Sequence, residues 1–121
     1  MRGLTIVVTT ADAERLRGAL LLAAAQAALG GAAAIFLQLD AVALLRPPVV
    51  APRDGDHRAA GLPDLAALLA DSLDLGVTIS ACQSGLALCG MSAAELPKGV
   101  GVGGPIGFLQ QMDDDVRLLM A

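Results

Sequence analysis

Five short apolar runs separated by stretches of helical character limit what this chain can fold into more than any other feature. They fall at 4–8, 33–39, 77–80, 99–104 and 116–120, the fourth thinned by glycine. The first, second and last are near-continuous in apolar residues, as in strands buried on both faces, and the third is a β-branched run. Between the first two, Asp12 can cap a helix whose apolar positions are Leu16, Ala19, Leu20, Ala23 and Ala27, and Gly30-Gly31 ends it. Residues 46–61, with Pro47-Pro48, Pro52 and Asp54-Gly55-Asp56, read as a long loop. Pro63 suits the first turn of a helix over 64–75. Ser84 opens a short helix closed by Gly90, 92–97 is a capped turn, Pro105 opens a helix through Met112, and 113–115 is an exposed acidic turn. The order β-α-β-loop-α-β-α-β-α-β predicts an α/β fold, a parallel sheet with helices on both faces. Ligands bind such sheets beyond the strand carboxyl ends. Thr9, Thr10, Asp40, Cys82, Gly103 and Gly104 all lie there.

At 121 residues the chain is one domain, 1–121, with a single core. That core rests on aliphatic side chains, because Phe36 and Phe108 are the only aromatic residues. The uncharged stretch 18–37 has the length of a membrane span. Gln26 in its middle, the Gly30-Gly31 break and the change to Ile35-Phe36-Leu37 instead indicate a helix followed by a strand, so no membrane partner is expected. No leader is visible: Asp12, Glu14, Arg15 and Arg17 interrupt the only early apolar run. Two cysteines in such a chain read as reduced thiols, and the expected location is cytoplasmic. A net charge of −4 with two aromatic residues disfavours nucleic acid. The surplus of apolar side chains in a small domain points to a homo-oligomer.

The chemistry concentrates at 76–91, Gly-Val-Thr-Ile-Ser-Ala-Cys-Gln-Ser-Gly-Leu-Ala-Leu-Cys-Gly-Met. Cys82 ends a strand and precedes a helix, where backbone N–H groups and the helix dipole stabilise a thiolate. The competing reading is a buried cysteine acting as a small hydrophobe. Cys89 lies seven residues on. With a helical rise of 1.5 Å per residue the two are about 10 Å apart, too far for a disulfide, so Cys89 reads as packing. Neither this spacing nor the single histidine makes a zinc site, and no metal or cofactor is expected. His57 reads as a solvated loop residue; the alternative is a lid carrying His57 or Arg53 to the thiol. Asp40 is either a cap or a site residue. Thr9-Thr10 could bind an anion at the first helix but reads more simply as its cap. Glycines 99–104 lack the context of a dinucleotide fingerprint.

Three segments carry a family resemblance. Residues 36–45 (Phe-Leu-Gln-Leu-Asp-Ala-Val-Ala-Leu-Leu), 81–91 around Cys82-Gln83-Ser84, and 101–109 (Gly-Val-Gly-Gly-Pro-Ile-Gly-Phe-Leu) resemble, in register, the DsrE/DsrF-like proteins, the family of the DsrE and TusD sulfur-relay subunits. Ala41 stands where that family usually has glycine. The resemblance implies a flavodoxin-like three-layer fold with a five-stranded parallel sheet and a homo-oligomer, trimer or hexamer. It also implies a sulfur carrier or sulfurtransferase holding sulfane sulfur as a persulfide on Cys82. Gln83, Ser84, Thr9, Thr10, Asp40, Gly103 and Gly104 would line the site, and donor and acceptor would be a protein or a small thiol. Two other readings stand beside it: a non-catalytic oligomeric binding module with a structural cysteine, and a thiol redox protein.

Overall fold

The computed structural model describes residues 1–121 and contains one wholly parallel five-stranded sheet. Its strands are β1 (Gly3–Val8), β2 (Ala33–Leu37), β3 (Thr78–Cys82), β4 (Gly101–Gly103) and β5 (Val116–Met120), in the order β4-β3-β2-β1-β5. The helices are α1 (Ala13–Ala28), α2 (Asp54–Ala59), α3 (Leu65–Asp74), α4 (Gln83–Leu88) and α5 (Pro105–Gln110). Two 3-10 segments, Leu39–Leu45 and Ala93–Glu95, complete the order. The predicted α/β class, parallel sheet and element order are all present.

The strand order decides how the layers divide. β1 to β4 step in one direction, so right-handed crossovers put the helices between them on one face. The return from β4 to β5 places α5 on the other. Side chains fit this division: Arg117 on β5 reaches Gln26 of α1 at 3.2 Å, whereas Phe36 on β2 stacks on Phe108 of α5 with ring centroids 4.7 Å apart. On the α1 face Ile6, Val8, Ile35, Leu37, Ile79 and Ala81 are all buried, joined by Leu16, Leu20, Leu65 and Leu69 from α1 and α3. The α5 face has one six-residue helix as cover, and Thr78 and Leu118 remain exposed there. No helix is long and apolar enough to cross a membrane.

Several boundaries differ from the sequence reading. The second strand ends at Leu37 rather than Leu39, because Leu39 takes a left-handed φ of 50° and starts the 3-10 segment. Pro63 precedes the cap of α3 instead of entering its first turn; the cap is Asp64, whose carboxylate accepts the Ala67 N–H. The fourth helix starts at Gln83 with Cys82 as its cap, one residue before Ser84.

The largest difference is at 46–61, which carries α2 where an unstructured loop was expected. Asp54 explains it. Its carboxylate accepts the N–H groups of Leu65 and Ala51 and the Arg17 guanidinium, at 3.0, 2.9 and 3.0 Å. The Arg17 and Asp54 side chains are 3% and 7% exposed, so this is a buried ion pair. Arg17 also bonds Glu14, and Glu14 in turn bonds His57 of α2. His57 is therefore a largely buried tether to α1, not a solvated loop histidine.

Burial alone would raise the Asp54 pKa, but the two N–H donors and Arg17 outweigh it and bring the value down to about 2 from an ordinary 3.8. Glu14 is lowered as well, first by its bond to His57. A carboxylate whose folded pKa is depressed contributes stability above its unfolded pKa and loses it as pH falls through the folded value. The melting temperature should therefore fall from about pH 4 towards pH 2. An Asp54→Asn variant should show a shallower fall, measured by thermal unfolding across that range.

Candidate functional site

The site is built where β3 hands the chain to α4. Residues 79–82 alternate between the sheet faces until Cys82, whose backbone is still extended (φ −74°, ψ 144°) while the next residue is helical. That geometry makes Cys82 the helix cap, and sulfur takes the place of the usual capping oxygen. Its Sγ accepts the Gly85 N–H at 3.0 Å. A second donor arrives from the neighbouring strand: the Leu39 N–H points at the same sulfur at 3.2 Å. The left-handed turn at Leu39 brings that N–H there, since a strand running on to residue 39 would have kept the amide in the sheet. Two converging N–H dipoles hold a negatively charged sulfur better than a neutral one.

The surroundings are close-fitting. Cys82 is 3% exposed and belongs to the main core cluster. A Cβ added at Gly85 would lie 2.4 Å from Val42 Cγ2, 2.8 Å from the Leu39 carbonyl and 3.0 Å from Cys82 Sγ. The 3-10 segment thus lies directly against α4, and only glycine fits between them.

Cys89 caps the other end of α4 and is half-buried. Its thiol faces the Leu39 carbonyl at 3.8 Å, so the two cysteines flank one residue from opposite ends. Both are free thiols. Arg46, just beyond the 3-10 segment, donates to the Cys89 carbonyl.

The remaining candidate residues fall into two groups. Gly103 is the register partner of Cys82, and an added Cβ at Gly104 would sit 3.9 Å from Gln83 Oε1, so Gln83, Gly103 and Gly104 share the Cys82 end of the sheet. Ser84 lies in the first turn of α4, and Asp40 follows Leu39 on the 3-10 segment; both are exposed. Thr9 and Thr10 follow β1, two strands away from β3. Thr10 lines a separate open cleft of about 630 Å³ with Asp12, Arg15, Leu44 and Pro52. Asp12, not a threonine, caps α1, accepting from the N–H groups of Glu14 and Arg15. His57 and Arg53 are engaged with Glu14 at the α1–α2 contact.

Sequence reasoning missed Leu39 and Gly85. A leucine with positive φ leaves no signature in sequence. Gly85 did leave one, as a glycine inside a short helical pattern, which commonly marks a close approach.

A family model described as the DsrE/DsrF-like family matches residues 2–120. No curated protein matches the chain. Among solved structures, the ychN protein of E. coli is similar with a TM-score of 0.79 at 23% identity, over 100% of both chains. Protein MTH1491 of Methanobacterium thermoautotrophicum, of unknown function, is similar with a TM-score of 0.68 at 17% identity, also over 100% of both. At these identities the structural likeness concerns the fold.

Proposed function

The chain belongs to the DsrE/DsrF-like family, and from that premise together with the Cys82 geometry we propose that it is a sulfur carrier that holds sulfane sulfur as a persulfide on Cys82. Family membership supports a sulfur-relay-type protein. The observation that carries the finer reading is the pair of N–H groups, from Leu39 and Gly85, aimed at one sulfur.

The chemistry balances without an added oxidant. The Cys82 thiolate attacks the outer sulfur of a donor persulfide, the donor's S–S bond breaks as the new one forms, and the donor leaves as a thiolate. Delivery is the same step with an acceptor thiolate attacking the outer sulfur of Cys82. The N–H pair stabilises the anion that leaves in delivery, while a stabilised thiolate is a weaker nucleophile in loading. Because the thiol is buried, loading requires the 39–45 segment to move away from α4. Donor and acceptor are a protein or a small thiol, and the carrier works as a homo-oligomer in the cytoplasm.

The burial of Cys82 favours a second reading, a binding module whose junction cysteine is structural. Incubation of the folded protein with a small-molecule polysulfide, alkylation of the persulfide formed and peptide mapping separate the two. Sulfur carriage places the label on Cys82 and leaves Cys89 as a free thiol. A structural cysteine takes label only in denaturant.

A further inference from the structure

The two edges of the sheet are finished differently. β4 is three residues long with glycine at both ends, and a short edge of this kind gives an incoming strand little to pair with. β5 is five residues long, contains no proline or lysine, and leaves Leu118 and Met120 47% and 66% exposed. Its main-chain groups divide by parity. Gly3 donates to the Asp115 carbonyl and Ala121 donates to the Val7 carbonyl, at 3.1 and 2.9 Å. In a parallel ladder with this register, Arg117 and Leu119 spend their amide groups on β1, so those of Leu118 and Met120 point outward with the Val116 carbonyl. The side chains of Val116, Leu118 and Met120 all lie on the α5 face.

We propose that a second copy of this chain pairs antiparallel along β5 about a two-fold axis through Leu118, joining two five-stranded sheets into one. In this register Leu118 opposes Leu118 of the other copy and Val116 opposes its Met120, so the outward amide groups meet as hydrogen-bonded pairs. The same residues then form an apolar row across the seam on the α5 face. Arg117 opposes Leu119 on the other face, where its guanidinium is already held by Gln26. The seam itself carries no carboxylate; Asp113, Asp114 and Asp115 lie beyond its end. The one like-charge approach is between Arg117 and its symmetry mate, diagonal neighbours on that face, and each is held towards Gln26 of its own chain. A two-fold seam is self-complementary and closes on itself, which protects the edge without open-ended growth. The pairing is independent of the chemistry at Cys82.

Mass measurement by light scattering and cysteine cross-linking test it on the full chain. Leu118→Pro deletes one outward N–H and no bond to β1, so the assembly mass should fall by half while circular dichroism and thermal unfolding stay near wild type. In a Cys89→Ser background, Leu118→Cys should form a disulfide-linked dimer on mild oxidation, because opposed hydrogen-bonded residues have Cα atoms about 5.5 Å apart. Leu119→Cys should not, since residues offset diagonally lie about 7–8 Å apart. A monomeric wild type, a mass unchanged by Leu118→Pro, or equal cross-linking of the two cysteine variants overturns the proposal.

Discussion

Replacing Asp54 by asparagine is expected to cost about 3–5 kcal/mol of folding free energy, the usual penalty for leaving one member of a buried ion pair without its partner. Arg17 would keep Glu14, 3.0 Å from its Nε, but the Glu14 side chain is 39% exposed and screened by water. That contact, with the bond from Arg17 Nη1 to the Pro63 carbonyl at 3.3 Å, places the loss towards the lower end of the range. The reverse truncation, Arg17→Met, should cost less, because the Asp54 carboxylate would retain the Leu65 and Ala51 N–H groups. Domains of this size are stable by about 5–15 kcal/mol, so Asp54→Asn consumes a large share of the total. Urea unfolding of the two variants checks both the size and the order. Equal losses would mean that the ion pair, rather than the carboxylate's bonds to the Leu65 and Ala51 N–H groups, supplies the stability.

The second large effect concerns Gly85→Ala. In an ordinary helix interior this change stabilises by about 1 kcal/mol, and no positive φ opposes it at this position. Here the new methyl group would meet Val42 Cγ2 at 2.4 Å and the Leu39 carbonyl at 2.8 Å. Val42 can rotate, but the Leu39 carbonyl is backbone and can move only with its own residue. Overpacking of this kind typically costs about 1–3 kcal/mol, which outweighs the propensity gain. The shift would also draw the Leu39 N–H away from Cys82 Sγ, so loss of stability and loss of sulfur loading should appear together. A raised melting temperature in Gly85→Ala would show that the 39–45 segment is looser than its packing implies.

Much of the frame was legible because long-range burial leaves local marks. Runs such as Ile6-Val7-Val8 and Ile35-Phe36-Leu37 are apolar at every position, which only a strand covered on both sides tolerates. Asp12 before Leu16 and Gly30-Gly31 after Ala27 mark both ends of α1. The Cys82 junction was visible for the same reason, as a β-branched run meeting a short helical pattern. What stayed hidden depends on partners far along the chain. Leu39 meets Cys82 across 43 residues, and Asp54 meets Arg17 across 37. The segment 46–61 looked unstructured because α2 has six residues and includes Gly55, so its stability comes from Asp54 and His57 rather than from helix propensity. The α5 face is more open than the predicted covering by helices on both sides, because the last crossover contributes only six residues.

The central claim is that Cys82 carries sulfur, and the most direct measurement is the intact mass of the native protein after exposure to a sulfane donor and removal of excess reagent. Sulfur carriage predicts a species one sulfur atom heavier. That species should return to the starting mass on addition of a small thiol, be present in Cys89→Ser and be absent in Cys82→Ser. An adduct that persists in Cys82→Ser, or a wild-type mass that never changes, would contradict it.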